Sequence, residues 1–249
     1  MNWTQMLWDA IDDEDVEIVR QSIANGADVH AIDENYLLDG DALHNAIYAQ
    51  NVTAANEMCE IILQAGANPN WRGEEGKTSL YWAVFGRDET LIRRLLKYGA
   101  KVTEEQPEDG ETSLHCAAGK GRIEIVKLLL DAGGRNVLDN FNYISRTPLM
   151  CAVENNHYEV AQLLIKAGSD VNAFDEPNIG NTALREIAQT GSCEIIKLLI
   201  EAGADPTIAG WMWITALDQA RERVEKSKKP SPEAVANLAL MEAAARRFV

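Results

Sequence analysis

Basic residues are nearly missing from the first part of the chain. Residues 1–70 hold Arg20 and no other Arg or Lys, against thirteen Asp or Glu, a net charge of −12. Over all 249 residues the formal net charge is −16. Phosphate backbones are held by a basic stripe, and none occurs, so the composition argues against a nucleic-acid partner. Long apolar runs are missing too. No stretch approaches the roughly 20 apolar residues that a spanning helix needs, so no membrane association is expected. The opening M-N-W-T-Q-M-L-W-D-A-I-D-D-E-D has neither the basic start nor the apolar core of a signal peptide. The expectation is a cytoplasmic protein.

Cysteine is sparse. Cys59, Cys116, Cys151 and Cys193 are the full set. All fall inside expected helices, not in paired loop positions, so core thiols in a reducing compartment are expected. No C-x-x-C or H-x-x-x-H pair offers a zinc site. No G-x-x-x-x-G-K-[ST] loop cradles a phosphate, and no G-x-S-x-G elbow presents a serine nucleophile. Carboxylates are plentiful, but nothing separates a catalytic pair from a solvated face. The expectation is a chain with no catalytic residue, metal or cofactor.

What is present is a unit, clearest from Gly110 to Gly133: G-E-T-S-L-H-C-A-A-G-K-G-R-I-E-I-V-K-L-L-L-D-A-G. Gly110 permits a turn that a side chain would hinder. Thr112 is a good N-cap, and Leu114, Ala117 and Ala118 follow at helical spacing. Gly121 ends that short helix. Ile123, Ile125, Val126, Leu128, Leu129 and Leu130 give a second helix a wide apolar stripe, closed by Gly133. Such a pair cannot bury its own apolar face.

The unit recurs. With Leu114 as the ruler, its counterparts are Leu7, Leu43, Leu80, Leu149, Leu184 and Leu217. The strings T-S-L-Y-W-A, T-S-L-H-C-A, T-P-L-M-C-A and T-A-L-R-E-I-A repeat at that position. The helix ends N-G-A-D-V-H, A-G-A-N-P-N, Y-G-A-K-V-T, A-G-S-D-V-N and A-G-A-D-P-T repeat at the other. Steps of 33 to 37 residues with a T-P-L-H-x-A signature resemble the ankyrin repeat over about nine tenths of the chain. The resemblance implies an all-α solenoid of stacked helix–turn–helix units with hairpin fingers. It implies one domain over residues 1–249. Residues 1–31 are its N-terminal capping unit, 32–207 five internal repeats, and 208–249 a last unit with a closing helix.

Two departures stand out in residues 32–71. The segment D-E-N-Y-L-L-D-G-D-A-L lengthens a finger, and extra residues around Ala49–Ala54 should lengthen the inter-helix turn or the following helix. Arg93 and Arg94, on the second helix of the third repeat, are expected to face solvent. By resemblance, His44 and His115 hydrogen-bond backbone between neighbouring units. His157 stands in an inter-helix turn and His30 at a finger base, and structural roles are expected for both.

Resemblance also implies that the repeats bind another protein through a concave face made of fingers and first-helix ends. Carried over by position, the helix set is Tyr48, Phe85, Lys120, Glu154, Asn155 and Gln189. Trp82 shares a helix face with Phe85. Finger aromatics add Tyr36, Trp71, Phe141, Tyr143, Phe174, Trp211 and Trp213, and aromatics are favoured interface anchors. Leu37 lies beside Tyr36. The acids Asp12, Asp13, Asp33 and Glu34 would form an acidic rim, steering a basic protein partner. A monomeric adaptor or stoichiometric inhibitor, immunity proteins included, is the leading expectation. An enzyme or small-ligand receptor with an aromatic pocket around Trp82 is the alternative. Packing of several aromatics on neighbouring fingers competes with both.

Overall fold

The computed structural model describes residues 1–32, 40–72, 76–86, 88–175 and 180–248, with Trp211 by its backbone alone. Fourteen α-helices among the described residues run as seven consecutive pairs. They fall into two compact units, Met1–Glu108 and Asp109–Val249.

The N-terminal unit holds three pairs: α1 (Trp3–Asp12) with α2 (Val16–Ala24), α3 (Ala42–Ile47) with α4 (Val52–Gln64), and α5 (Ser79–Gly86) with α6 (Glu89–Lys97). Leu7, Leu43 and Leu80 are at most 1% exposed. Ala10, Ala46 and Ala83 follow three residues on and are also buried, so each first helix presents one large and one small residue inward. Burying one such leucine contributes roughly 2 kcal/mol. The extra residues after Ala49 go into helix. Asn51 caps α4 by accepting from the Thr53 and Ala54 amides. α4 then runs 13 residues, against nine for α2 and α6.

The longer α4 corrects the expectation for Arg94. Its guanidinium does not face solvent but reaches back to the Asn56 carbonyl and Asn56 Oδ1, and pairs with Glu60 at 3.2 Å. Asn56 and Glu60 stand one turn apart on α4 and present acceptors to α6. Arg93 does stay exposed, paired along its own helix with Glu89.

The C-terminal unit holds four pairs: α7 (Ser113–Gly119) with α8 (Ile123–Asp131), α9 (Pro148–Glu154) with α10 (Tyr158–Ala167), α11 (Ala183–Ile187) with α12 (Cys193–Glu201), and α13 (Ala216–Glu225) with α14 (Pro232–Ala245). Leu114, Leu149 and Leu184 are buried as their N-terminal counterparts are. Pro148 occupies the first helical position behind the Thr147 cap, where a missing N–H costs nothing. Gly133 closes α8 at φ +107°, a conformation that resists any side chain. α14 packs on α13 and α12. Glu233 accepts from the Cys193 amide at 3.0 Å, which ties the last pair to its neighbour.

His115 shows why the motif carries an imidazole. Its Nδ1 lies 3.1 Å from the Thr112 amide and 2.9 Å from Thr112 Oγ1, completing a capping box. Its Nε2 lies 3.1 and 3.0 Å from the Asn140 and Arg146 carbonyls of the next finger. One ring thus closes a helix end and joins two repeats. His157 Nε2 likewise reaches the Gly119 carbonyl of the preceding turn at 3.1 Å.

Candidate protein-binding surface

Four acids in a row, Asp12 to Asp15, end α1 and form the turn after it, and two of them hold backbone amides. Asp15 caps α2, accepting from the Glu17 and Ile18 amides. Glu14, at φ +56°, sends its carboxylate to the next repeat, where it accepts from the Gln50 amide at 2.5 Å and the Asn51 amide at 3.2 Å. Asp12 and Asp13 remain exposed. Glu14 therefore fixes the turn that follows Tyr48 beside the turn that carries Asp12 and Asp13.

From Tyr48 a chain of rings runs through the N-terminal unit. Trp71 meets His44 at 5.5 Å between centroids, and His44 meets Tyr48 at 5.3 Å. Tyr48 meets Trp82 at 5.3 Å, and Trp82 meets Phe85 at 5.9 Å. Interplanar angles of 62° to 79° make every contact edge-to-face, the arrangement that ring quadrupoles favour. Tyr81 also meets Trp82 edge-on at 6.3 Å but is buried. Phe85 is 48% exposed, and Tyr48, Trp71 and Trp82 are half-buried. The cluster joins core to surface, so it is neither simple packing nor a free patch.

Four residues expected to bind a partner, Tyr48, Trp71, Trp82 and Phe85, are thus brought together, with Asp12 and Asp13 on an adjoining turn. Asp33, Glu34, Tyr36 and Leu37 lie outside the described residues. Sequence reasoning placed His44 in a purely structural role and passed over Lys77. The structure puts His44 within the ring chain and the Lys77 ammonium 5.1 Å from the Trp82 centroid. The spacing of Lys77 five residues before Trp82 was the available signal, and no periodic pattern marks it.

In the C-terminal unit the expected aromatics do not gather. Phe141 and Phe174 are half-buried, while Tyr143 is 65% and Trp213 88% exposed. The Tyr143 amide donates to the Asp109 carbonyl at 2.7 Å, and its ring closes over Gly110, where a Cβ would come within 2.5 Å of it. Met212 and Trp213 both stand near φ +61°, an uncommon backbone for side-chain-bearing residues. The Trp211 side chain lies outside the described residues. Lys120, Glu154, Asn155 and Gln189 are exposed at the first-helix ends.

Burial raises the pKa of Asp41 and of the Cys151 and Cys59 thiols. Asp41, capping α3 through the His44 amide at 2.9 Å, is raised to about 6 by desolvation, against the lowering effects of that hydrogen bond and of His30. Desolvation also pushes the Cys151 thiol up to about 12. Cys59, fully buried, moves in the same direction for the same reason. Such thiols are poor nucleophiles. Among the described residues no group of three or more His, Cys, Asp or Glu is placed to hold a metal ion. No helix among them is long and apolar enough to cross a membrane.

Stacked helix pairs with short capped turns, and with varied side chains on otherwise uniform first-helix ends, define a repeat scaffold of the protein-binding kind. The chain belongs to the ankyrin-repeat family. A family model described as ankyrin repeats (3 copies) matches residues 7–106, 88–175 and 146–210. An ankyrin-repeat protein of fowlpox virus (strain NVSL) is 30% identical over 127 residues, 51% of this chain and 27% of that protein. An ankyrin repeat-containing protein of Treponema pallidum (strain Nichols) is 39% identical over 84 residues, 34% of this chain and 26% of that one. The matched stretches thus span about a quarter of these relatives. The crystal structure of the ankyrin repeat domain of Bcl-3, a member of the IκB family, superposes with a TM-score of 0.76 at 25% identity, covering 94% of this chain and 97% of that one. Ankyrin repeats are generally protein–protein interaction modules, and the fold is typically a non-enzymatic scaffold.

Proposed function

We propose that the chain is a non-catalytic binding module that engages a basic protein through its N-terminal unit. It acts there as a stoichiometric inhibitor, in the manner of an immunity protein covering a basic functional surface. On its own it is a monomer, and its reduced thiols suit a cytoplasmic setting. The observation that carries the reading is the adjacency of two exposed acids, Asp12 and Asp13, to the ring chain ending at Phe85. Acids around an aromatic centre give rapid association and a desolvated anchor in one surface.

The experiment begins with the protein that co-purifies from the native host. One basic partner at 1:1 stoichiometry is expected. Surface plasmon resonance then follows association from low to high salt. Replacing Asp12 and Asp13 together by Asn should slow association, and salt should mimic the change. Phe85→Ala should cost roughly 2 kcal/mol, chiefly through faster dissociation. Salt-independent association, or a Phe85→Ala complex as long-lived as the wild type, sinks the reading.

A further inference from the structure

Lys77 stands in the ring cluster as a cation held from two sides. Its Nζ lies 5.1 Å from the Trp82 ring centroid and 3.5 Å from Glu108 Oε2. The first distance is within the reach, about 6 Å, at which a ring face attracts an ammonium. The Lys77 side chain is only 18% exposed. Tyr48, Tyr81 and Phe85 stand edge-on around the same indole. One ring face, itself buttressed edge-on by three further rings, and a carboxylate about one ammonium make a built cation site, which the chain fills with its own lysine.

We propose that this is where a lysine or arginine of the partner is anchored, with Lys77 the resident cation that it exchanges for. The inference rests on the proposed basic partner and supplies the group that docks. Three observations favour a cation over an apolar anchor. An apolar side chain would displace an ammonium from the Trp82 face and return no electrostatic attraction to it, whereas a cation replaces like with like. Glu108 is 60% exposed, so it can follow Lys77 outward and keep it paired. Phe85, edge-on to the same indole, is half-exposed, in a unit whose first 70 residues carry −12. Lys77, five residues from Trp82, competes as a tethered ligand with an effective concentration on the order of millimolar. Its removal should therefore tighten the binding of an external ammonium.

The test titrates the ¹⁵N-labelled full chain with tetramethylammonium chloride, against sodium chloride at matched ionic strength. The Trp82 indole N–H resonance is the readout, identified by its loss in Trp82→Phe. A saturable shift is expected with tetramethylammonium and not with sodium. Half-saturation should fall at least about fivefold in Lys77→Gln, and not in Lys101→Gln, which removes the same charge from an exposed position. Lys77→Met, which keeps the aliphatic stem on the ring, gives a second variant should Lys77→Gln lose its fold. An unmoved Trp82 resonance in the folded Lys77 variants, or equal half-saturation in Lys77→Gln and Lys101→Gln, overturns the proposal. Calorimetry with deca-lysine separates it from the broader reading. Binding weakened by the Asp12 and Asp13 changes but indifferent to Lys77→Gln leaves a basic partner and overturns the exchange. Failure of deca-lysine to bind the wild type at low salt sinks both.

Discussion

The two compact units are made from the same helix pair and place different chemistry at the same register position. In the N-terminal unit the residue after the ruler leucine is Trp8, His44 or Tyr81; Trp8 is buried, and the other two join rings. In the C-terminal unit it is His115, Met150, Arg185 or Asp218. His115 and Asp218 complete capping boxes, and Arg185 bonds Asn181 at 2.6 Å. Between the helix pairs of that unit, Arg146 links Glu154 with Glu186. The N-terminal unit gathers Tyr48, Trp71, Trp82 and Phe85 onto one ring chain. The C-terminal unit scatters Tyr143 and Trp213 on separate fingers and fills its first-helix ends with polar side chains. Leucine, alanine and the closing glycine suffice to build the stack, so the other positions are left to vary with the surface each repeat must present.

The comparison can be broken most forcefully by pH. Asp41 caps α3 in the N-terminal unit, where the C-terminal unit uses Thr112, Thr147 and Thr182. Its folded pKa is raised from 3.8 to about 6, so the folded state holds the proton more tightly than the unfolded chain does. Its contribution is fully present below about pH 4 and is lost as pH rises through about 6, a change of about 3 kcal/mol. Asp41→Asn keeps a capping oxygen and should abolish that slope. Urea titrations from pH 4 to 7 would show the two proteins diverging, and parallel curves would contradict the burial argument.

A somewhat smaller effect separates the two tryptophans. Trp82→Ala should lower folding stability by about 2 kcal/mol, less than a fully buried tryptophan because Trp82 is half-exposed. Trp213→Ala, at a site 88% exposed, should leave the melting temperature nearly unchanged. Equal losses from both would erase the distinction between an embedded ring chain and isolated finger-tip aromatics. Smallest is Gly133→Val. A Cβ there meets nothing within 4 Å, so its cost of about 1 kcal/mol should come from φ +107° alone. Thermal denaturation showing no loss would mean that the helix end relaxes to negative φ.

Much of the architecture was legible because the signals are local. Thr112, Leu114 and Gly133 specify a cap, a buried face and a helix end within one repeat, and the pattern returns at each ruler leucine. Pro148 was readable as a first-turn residue for the same reason. The extension after Ala49 was visible as surplus length, but its assignment to α4 depended on Asn51 capping the longer helix. Of the candidate surface, Trp82 and Phe85 were readable as three residues apart on one helix. Their union with Tyr48, Trp71 and His44 was not, since those rings come from other repeats.

The sequence by itself determined the period, the helix pairs and the family, because caps, apolar spacing and closing glycines act over a few residues. Only the tertiary structure decided that Glu14 of the first turn is taken up by the next repeat while Asp12 and Asp13 stay exposed. Glu14 finds its acceptor role 36 residues away, on the Gln50 amide. It likewise decided that Arg94 leaves solvent for Asn56 and Glu60, and that Lys77 lies between Trp82 and a Glu108 carried by the next finger. Each outcome depends on the direction a side chain takes across the gap between neighbouring repeats. That direction is fixed by packing, which the repeat's own period does not encode.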